Sequence, residues 1–169
     1  MTEARAPART AADGVPVPLA EQDRSLWRAD LIAEGVALIT DALARHPIGP
    51  FQLRAAIAAV HDEAPEWART DWRQLLGLYD LLRVVDPGPV VELARLVVLG
   101  ELAGPSAALA ALDDGVAADA APARRAAVRA HLLARAGDDA AARATAAHAA
   151  ELATNDVERR WWAARASKN

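Results

Sequence analysis

Apolar residues recur at helical spacing along most of this chain. Ile32, Val36, Ile39 and Leu43 follow one another at intervals of four, three and four, which places them on one face of a helix. No segment of useful length alternates between apolar and polar residues with the period of two that is typical of a half-buried strand. The pattern therefore predicts an all-α protein with essentially no sheet.

Prolines indicate where several of these helices begin. Pro50, Pro89, Pro105 and Pro122 each precede an apolar run. Proline at the first helical position loses no hydrogen bond, and its fixed φ already suits a helix. Together with polar capping residues, this punctuation predicts eight helices, at residues 23–45, 50–64, 71–85, 89–102, 105–112, 123–136 and 139–153, and a last one capped by Asn155.

Short connections between successive helices favour antiparallel neighbours. The sequence predicts antiparallel helix pairs arranged either as a tetratricopeptide-like solenoid or as an irregular bundle of about eight helices. Ala130, Gly137, Ala142 and Ala149 stand where a tetratricopeptide repeat needs small residues so that its two helices can approach closely. These four positions are the strongest indication of the solenoid.

Composition agrees with a helical protein and indicates in which compartment it acts. Alanine, the strongest helix former, supplies 45 of the 169 residues. Residues 1–18 are rich in Ala, Arg and Pro and are expected to be a disordered tail, followed by a helical domain over 19–166 and a short tail over 167–169. Without a secretory signal or a run of 18 apolar residues, we expect a soluble cytoplasmic protein with no membrane span. The excess of Ala, and of Arg over Lys, indicates a GC-rich coding sequence of actinobacterial type.

No combination of residues in this sequence is typical of an enzyme. The absence of Cys removes thiol nucleophiles and cysteine-ligated metals, and no Ser lies in a nucleophile-elbow pattern. The triplet His61-Asp62-Glu63 is the most site-like cluster, but one His without a second at helical spacing does not form a zinc site. We expect no catalytic residue, no metal and no cofactor, and a structural or ligand-contact role for His61.

The tryptophans are the largest apolar side chains available for packing or for binding. Consecutive helical residues point about 100° apart, so Trp161 and Trp162 cannot both enter one core. Either role remains open for them, because Trp is also common among the residues that dominate protein interfaces. With a net charge of −4, a direct contact with nucleic acid is not expected.

Three stretches, at residues 13–35, 49–65 and 71–82, resemble the helical, tetratricopeptide-like C-terminal extension of extracytoplasmic-function RNA polymerase sigma factors. The resemblance runs over roughly residues 13–166 and departs from the family at residues 86–101, where the family tends to carry Asn-Pro and Asn-Arg. The matching residues are Asp23, Arg24, Trp27, Ile32, Glu34, Gly35, Gln52, Ala55, Ala56, Ile57, Ala59, Val60, His61, Asp71, Trp72, Leu78 and Tyr79.

The resemblance implies a regulatory region that modulates a sigma factor through contacts with its core and that has no catalytic residues. The DNA-binding and polymerase-binding regions of that family precede the extension, and this chain is expected to lack them. The residues expected to contact a partner or ligand are Glu34, Gln52, His61, Trp72, Tyr79, Trp161 and Trp162.

Three hypotheses about function remain open from the sequence. The first is a regulatory protein-interaction domain that binds a sigma-factor core or RNA polymerase in transcription initiation. The second is a small-molecule-sensing helical domain with its ligand near Glu34, Gln52 and His61. The third is a truncated remnant without activity, whose uncovered apolar face would form a homodimer.

Overall fold

The computed structural model describes residues 3–12 and 14–167. These residues form helices and no strand, apart from one isolated bridge between Thr10 and Pro16, so the all-α prediction is confirmed. The α-helices are α1 (Ala29–Arg45), α2 (Pro50–Glu63), α3 (Trp72–Val85), α4 (Pro89–Ala103), α5 (Pro105–Asp113), α6 (Pro122–Arg135), α7 (Asp139–Leu152) and α8 (Asp156–Ala166). Four of them begin at the four prolines that the sequence analysis singled out.

The first α-helix begins six residues later than the sequence predicts. Asp23 does cap a helix, since its carboxylate accepts the Ser25 N–H at 2.9 Å, but that helix is a short 3₁₀ turn over Arg24–Leu26. Trp27 and Arg28 are extended, and α1 starts only at Ala29. The cap at Asp23 acts only on the residues that follow it directly. The helix is then interrupted before α1 because Trp27 turns inward and is buried.

Residues 1–18 were predicted to be a disordered tail, but the part of this segment that the structure describes contains a helix. Glu3–Ala8 form a 3₁₀ helix in which Ala4 and Ala8 are buried. The Arg28 N–H donates to the Ala4 carbonyl at 2.9 Å, which attaches this helix to the start of α1. The small side chain of Ala4 allows that close approach. The Ala- and Pro-rich composition shows that small side chains are present but not that this segment packs against α1.

The chain divides into two compact units, Met1–Asp86 and Pro87–Asn169, where the sequence analysis expected one helical domain. In the first unit α2 packs against both α1 and α3. The α1–α2 core contains Ile39, Ala56 and Ala59, with small alanines that let the two helices lie close together. Leu53, Leu75 and Leu82 are fully buried along α2 and α3.

In the second unit each helix packs against its neighbour in sequence, and α4 also contacts α6. The turn between α6 and α7 has Gly137 at φ +78° and a 3.1 Å hydrogen bond from the Asp138 N–H to the Leu133 carbonyl, which is the Schellman arrangement. The three alanines expected to be small for close packing, Ala130, Ala142 and Ala149, are all buried. Trp162 of α8 is buried against the α6–α7 pair.

The α4–α5 corner is made by a single residue. Gly104 ends α4 and precedes α5 with φ +92°, a conformation that L side chains rarely adopt, and Pro105 follows at once. Nearby, Gly100 lets α4 approach α6, because a Cβ at this position would lie 2.6 Å from the Leu132 Cδ2. A longer connection follows α5, where Ala117 is a non-glycine residue with positive φ.

Candidate functional site

The end of α2 is closed by an arginine from 37 residues earlier in the chain. One guanidinium nitrogen of Arg24, Nη1, donates to the carbonyls of His61 at 2.7 Å and Ala64 at 2.6 Å. A cation at this position satisfies carbonyls that lack a partner within the helix and complements the negative end of the helix dipole. The same guanidinium lies over the Trp27 ring at 4.4 Å, so Arg24 joins the short 3₁₀ turn to α2.

Three aromatic rings gather next to this contact. The imidazole of His61 is nearly parallel to Trp67 with 6.0 Å between ring centroids, and it meets Trp72 edge-on at 5.8 Å. Trp67 and Trp72 contact each other at 4.6 Å. His61 and Trp72, two of the residues predicted as contact residues, are therefore brought together, but as part of a packed aromatic cluster.

Burial changes the proton affinity of His61. The pKa of its imidazole falls from 6.5 to about 4, chiefly because burial disfavours the charged form and also because Arg5 and Arg24 are nearby cations. The buried Nδ1 has no hydrogen-bond partner among the described residues. At neutral pH the ring is neutral, and it acts as an apolar surface for the tryptophans.

The neighbouring Asp62 is a buried carboxylate. Its side chain is 0% exposed, its Oδ1 lies 3.3 Å from Arg5 Nε, and neither oxygen accepts a hydrogen bond within the described residues. Burial raises the pKa of this carboxyl, and Arg5 opposes that effect. Asp62 and Arg5 were not among the predicted residues, although Asp62 follows the buried Ala56 and Ala59 at intervals of three and so lies on the packed face of α2.

A groove lies between α1 and the C-terminal end of α2, with a volume of about 550 Å³. We call it the α1–α2 groove, and its lining residues are Ala29, Ile32, Ala33, Val36, Ala37, Asp62 and Glu63. Its wall on α1 is wholly apolar, and its two acidic residues come from the last turn of α2.

The three residues proposed to surround a small ligand lie in different settings. Glu34 is exposed on α1, while the Gln52 side-chain amide donates to the Pro47 carbonyl at 3.0 Å and fixes the loop before α2. Gln52 and His61 are nine residues apart on one helix, which corresponds to about 13 Å along its axis. One small molecule would have to bridge that distance to contact both.

The other predicted contact residues belong to separate surroundings. Tyr79 is half-buried on α3, where burial raises the pKa of its phenol and the cation of Arg54 opposes this. Trp162 is buried, and the half-buried Trp161 meets it edge-on at 4.4 Å with the Arg165 guanidinium 3.3 Å from the Trp161 ring centroid. The two rings thus diverge as the helical geometry requires, and both still pack against the α6–α7 core.

Within residues 3–12 and 14–167, no three His, Asp or Glu side chains are arranged to hold a metal ion. No helix in that part of the chain is long and apolar enough to cross a bilayer. Around α2 the structure has a packed cluster of cationic and aromatic side chains. Beside it lies an apolar groove with acidic residues at one end.

Comparisons with known proteins found two matches to this chain. The sequence profile of a "Family of unknown function (DUF6596)" matches residues 1–43. The chain is also similar to "Uncharacterized protein R00370" of Rhizobium meliloti (strain 1021), with 42% identity over 113 residues. That match covers 67% of this chain and 27% of the relative, so the chain spans about a quarter of the length of the curated relative it matches. No solved structure matches the chain.

Proposed function

We propose that this chain is a regulatory protein-interaction domain of sigma-factor type. It acts in transcription initiation, in the cytoplasm, by binding a sigma-factor core or RNA polymerase. It is not proposed to bind DNA itself, since its net charge of −4 provides no attraction for phosphates. Its contribution is to alter the activity of the partner, and no catalytic step is assigned to it.

The observation that carries the proposal is the convergence of the residues that resemble the sigma-factor extension. Arg24, Trp27, His61 and Trp72 are up to 48 positions apart in the sequence, yet they are linked by one continuous set of contacts. Residues that match the sigma-factor extension and that also contact one another indicate a folding unit common to both, because each contact needs the residues on both of its sides. This supports a common fold with the extension, and the regulatory role follows from that resemblance.

Exposed apolar side chains in the first unit support a role in protein binding. The Arg54 Nη2 lies 2.6 Å from the Asp86 Oδ2, so the start of α2 and the end of α3 lie at the same end of the first unit. Phe51 and Val84 lie near that end and are 84% and 77% exposed. Large apolar side chains that remain this exposed are typical of a surface that a partner covers.

Reconstitution with purified components tests the proposal. The chain is mixed separately with the sigma-factor core regions and with the RNA polymerase core of the organism that encodes it, and each mixture is analysed by size-exclusion chromatography with light scattering. We expect co-elution with at least one of them, together with a change in the number of transcripts in a multiple-round transcription assay. The chain measured alone reports whether it forms the homodimer that the sequence analysis raised.

Matched variants link the result to the structure. The double variant F51S/V84S should weaken co-elution, because it removes exposed apolar area without disturbing the buried core. V157S changes an exposed valine of α8 and should bind as the unaltered chain does. Failure of the chain to bind either transcription component would refute the proposed function.

A further inference from the structure

We propose that the exposed face of α3 pairs with the same face of a second copy of this chain, so that the chain forms a weak homodimer. The face is a stripe of four exposed residues, Gln74, Gly77, Leu81 and Val84, which we call the α3 stripe. The inference goes beyond the proposed function and does not depend on it, because it concerns how the chain associates with itself.

The helix α3 has two faces that suit helix packing. Leu75 and Leu82 are fully buried on the side that packs against α2, which is the main contact of α3. On the other side Leu81 is 51% exposed and Val84 is 77% exposed. The residues of the α3 stripe follow one another at intervals of three, four and three, which is the spacing of the seam between two paired helices. The stripe is therefore a second packing face, and the described part of the chain leaves it uncovered.

Large and small residues of the α3 stripe complement each other in an antiparallel pair. A two-fold axis level with the midpoint between Gly77 and Leu81 places Gly77 of one copy beside Leu81 of the other, and Gln74 beside Val84. The space beside Gly77 is open, because no heavy atom lies within 4 Å of a Cβ added there. Each leucine thus fills the space beside the other copy's glycine. A parallel pair would place glycine beside glycine and leave a gap, which close packing disfavours.

Charge is compatible with a second copy as the occupant. None of the four residues of the α3 stripe is charged, so the stripe selects neither a basic nor an acidic partner. A copy that presents the same stripe therefore meets no like charge at the seam. Arg73 and Asp80 lie at the edge of the stripe, where solvent screens surface charges.

The length of the stripe sets the strength of the contact. From Gln74 to Val84 it spans ten residues, or about 15 Å along the axis of α3. A helix pair of this length lies at the low end of specific interfaces, which bury below about 1,200 Å² in total. We therefore expect a dimer that exchanges with the monomer at micromolar concentrations.

Sedimentation equilibrium of the full chain measures the association over the micromolar range. We expect a reversible equilibrium between monomer and dimer. Its dissociation constant should not increase with salt, because the seam has no charged residue. L81R should raise the dissociation constant by about tenfold or more. The matched control is L102R, which changes a leucine of the second unit that is 40% exposed and should leave the equilibrium unchanged.

The variant G77L distinguishes the specific pair from non-specific hydrophobic association. A leucine at this exposed position adds apolar area, so it would strengthen non-specific association. In the antiparallel pair it would instead occupy the space that Leu81 of the second copy fills, and it should weaken the dimer. Circular dichroism of L81R and G77L checks that both variants keep the helix content of the unaltered chain.

Cross-linking tests the arrangement of the two helices. The chain has no cysteine, so single-cysteine variants give unambiguous disulfides. In the antiparallel pair Q74C should cross-link to V84C of a second, tagged copy faster than either variant cross-links to itself. A parallel pair would reverse that preference, because each position would then lie beside its own equivalent.

The outcomes separate this inference from the proposed function. A dimer that L81R and G77L weaken and L102R does not, with cross-linking between Q74C and V84C, supports the α3 pair. A chain that stays monomeric, a dimer that G77L strengthens, or equal effects of L81R and L102R overturns it. The transcription components are then mixed with monomeric L81R. Binding to them bears on the proposed function alone, since it does not require the second copy.

Discussion

Protonation of His61 should couple the stability of the first unit to pH. In the folded chain the pKa of this imidazole is about 4, against an ordinary value of 6.5 that also describes the unfolded chain. Between these values the unfolded state binds more protons, so the free energy of unfolding decreases as the pH falls below 6.5. The contribution that His61 makes to this decrease is about 2 kcal/mol at pH 5.0 and about 3 kcal/mol once the pH is below 4.

The H61F variant isolates this contribution. Phenylalanine keeps an aromatic ring against Trp67 but does not titrate, so its loss of stability between pH 7.5 and pH 5.0 should be smaller by about 2 kcal/mol. Urea unfolding followed by tryptophan fluorescence measures both proteins at each pH. Asp62, whose raised pKa acts in the opposite direction, and His131, whose pKa burial lowers, are present in both proteins, so their effects cancel in the difference.

An NMR titration measures the pKa of His61 directly. In NMR spectra the imidazole resonance of His61 should have its midpoint near pH 4. A midpoint near 6.5, or an H61F variant that loses as much stability as the unaltered chain at pH 5.0, would show that the ring is not buried as described.

Further predictions concern the packing of the helices, and urea unfolding followed by circular dichroism measures each of them. W162A should lower the free energy of unfolding by about 3–5 kcal/mol because Trp162 is 9% exposed and fills the α6–α7 core, and W161A should have a smaller effect because Trp161 is half-buried. G100A should destabilise by about 1–3 kcal/mol because its Cβ would displace Leu132. G77A, with no atom within 4 Å of the added Cβ, should instead stabilise α3 by up to about 1 kcal/mol. Equal effects of the two glycine variants would contradict this account of Gly100.

Most helix boundaries were predictable because their causes are local. A proline at the first position, or a cap such as Asp71, whose carboxylate accepts the Gln74 N–H at 2.8 Å, acts on the next few residues and can be recognised in the sequence. The start of α1 was not predictable in this way. Its position depends on Arg24 and Trp27, and these side chains are fixed by the end of α2, more than thirty residues away.

The candidate site shows the same division between local and distant causes. His61 and Trp72 were identified by resemblance and do meet. The hypothesis of one small ligand near Glu34, Gln52 and His61 takes no account of the nine residues that separate Gln52 from His61 along α2. The partner of Asp62 is Arg5, in a segment whose composition predicts disorder. Nothing in the local sequence indicates that a 3₁₀ helix at the N-terminus would bring a cation to the last turn of α2.

The one-residue corner at Gly104 has a consequence for how the second unit can deform. Only Gly104 separates α4 from α5, and the backbone of Pro105 is restricted. These two helices are therefore expected to move together as one rigid body. The connection over residues 114–121 is longer but is also held in place, because Ala117 and Ala120 are buried in the core of this unit and the Arg125 Nη1 donates to the Val116 carbonyl at 2.7 Å. Insertion of extra residues should accordingly disrupt the unit at 104 and also within 116–120, where the backbone is anchored.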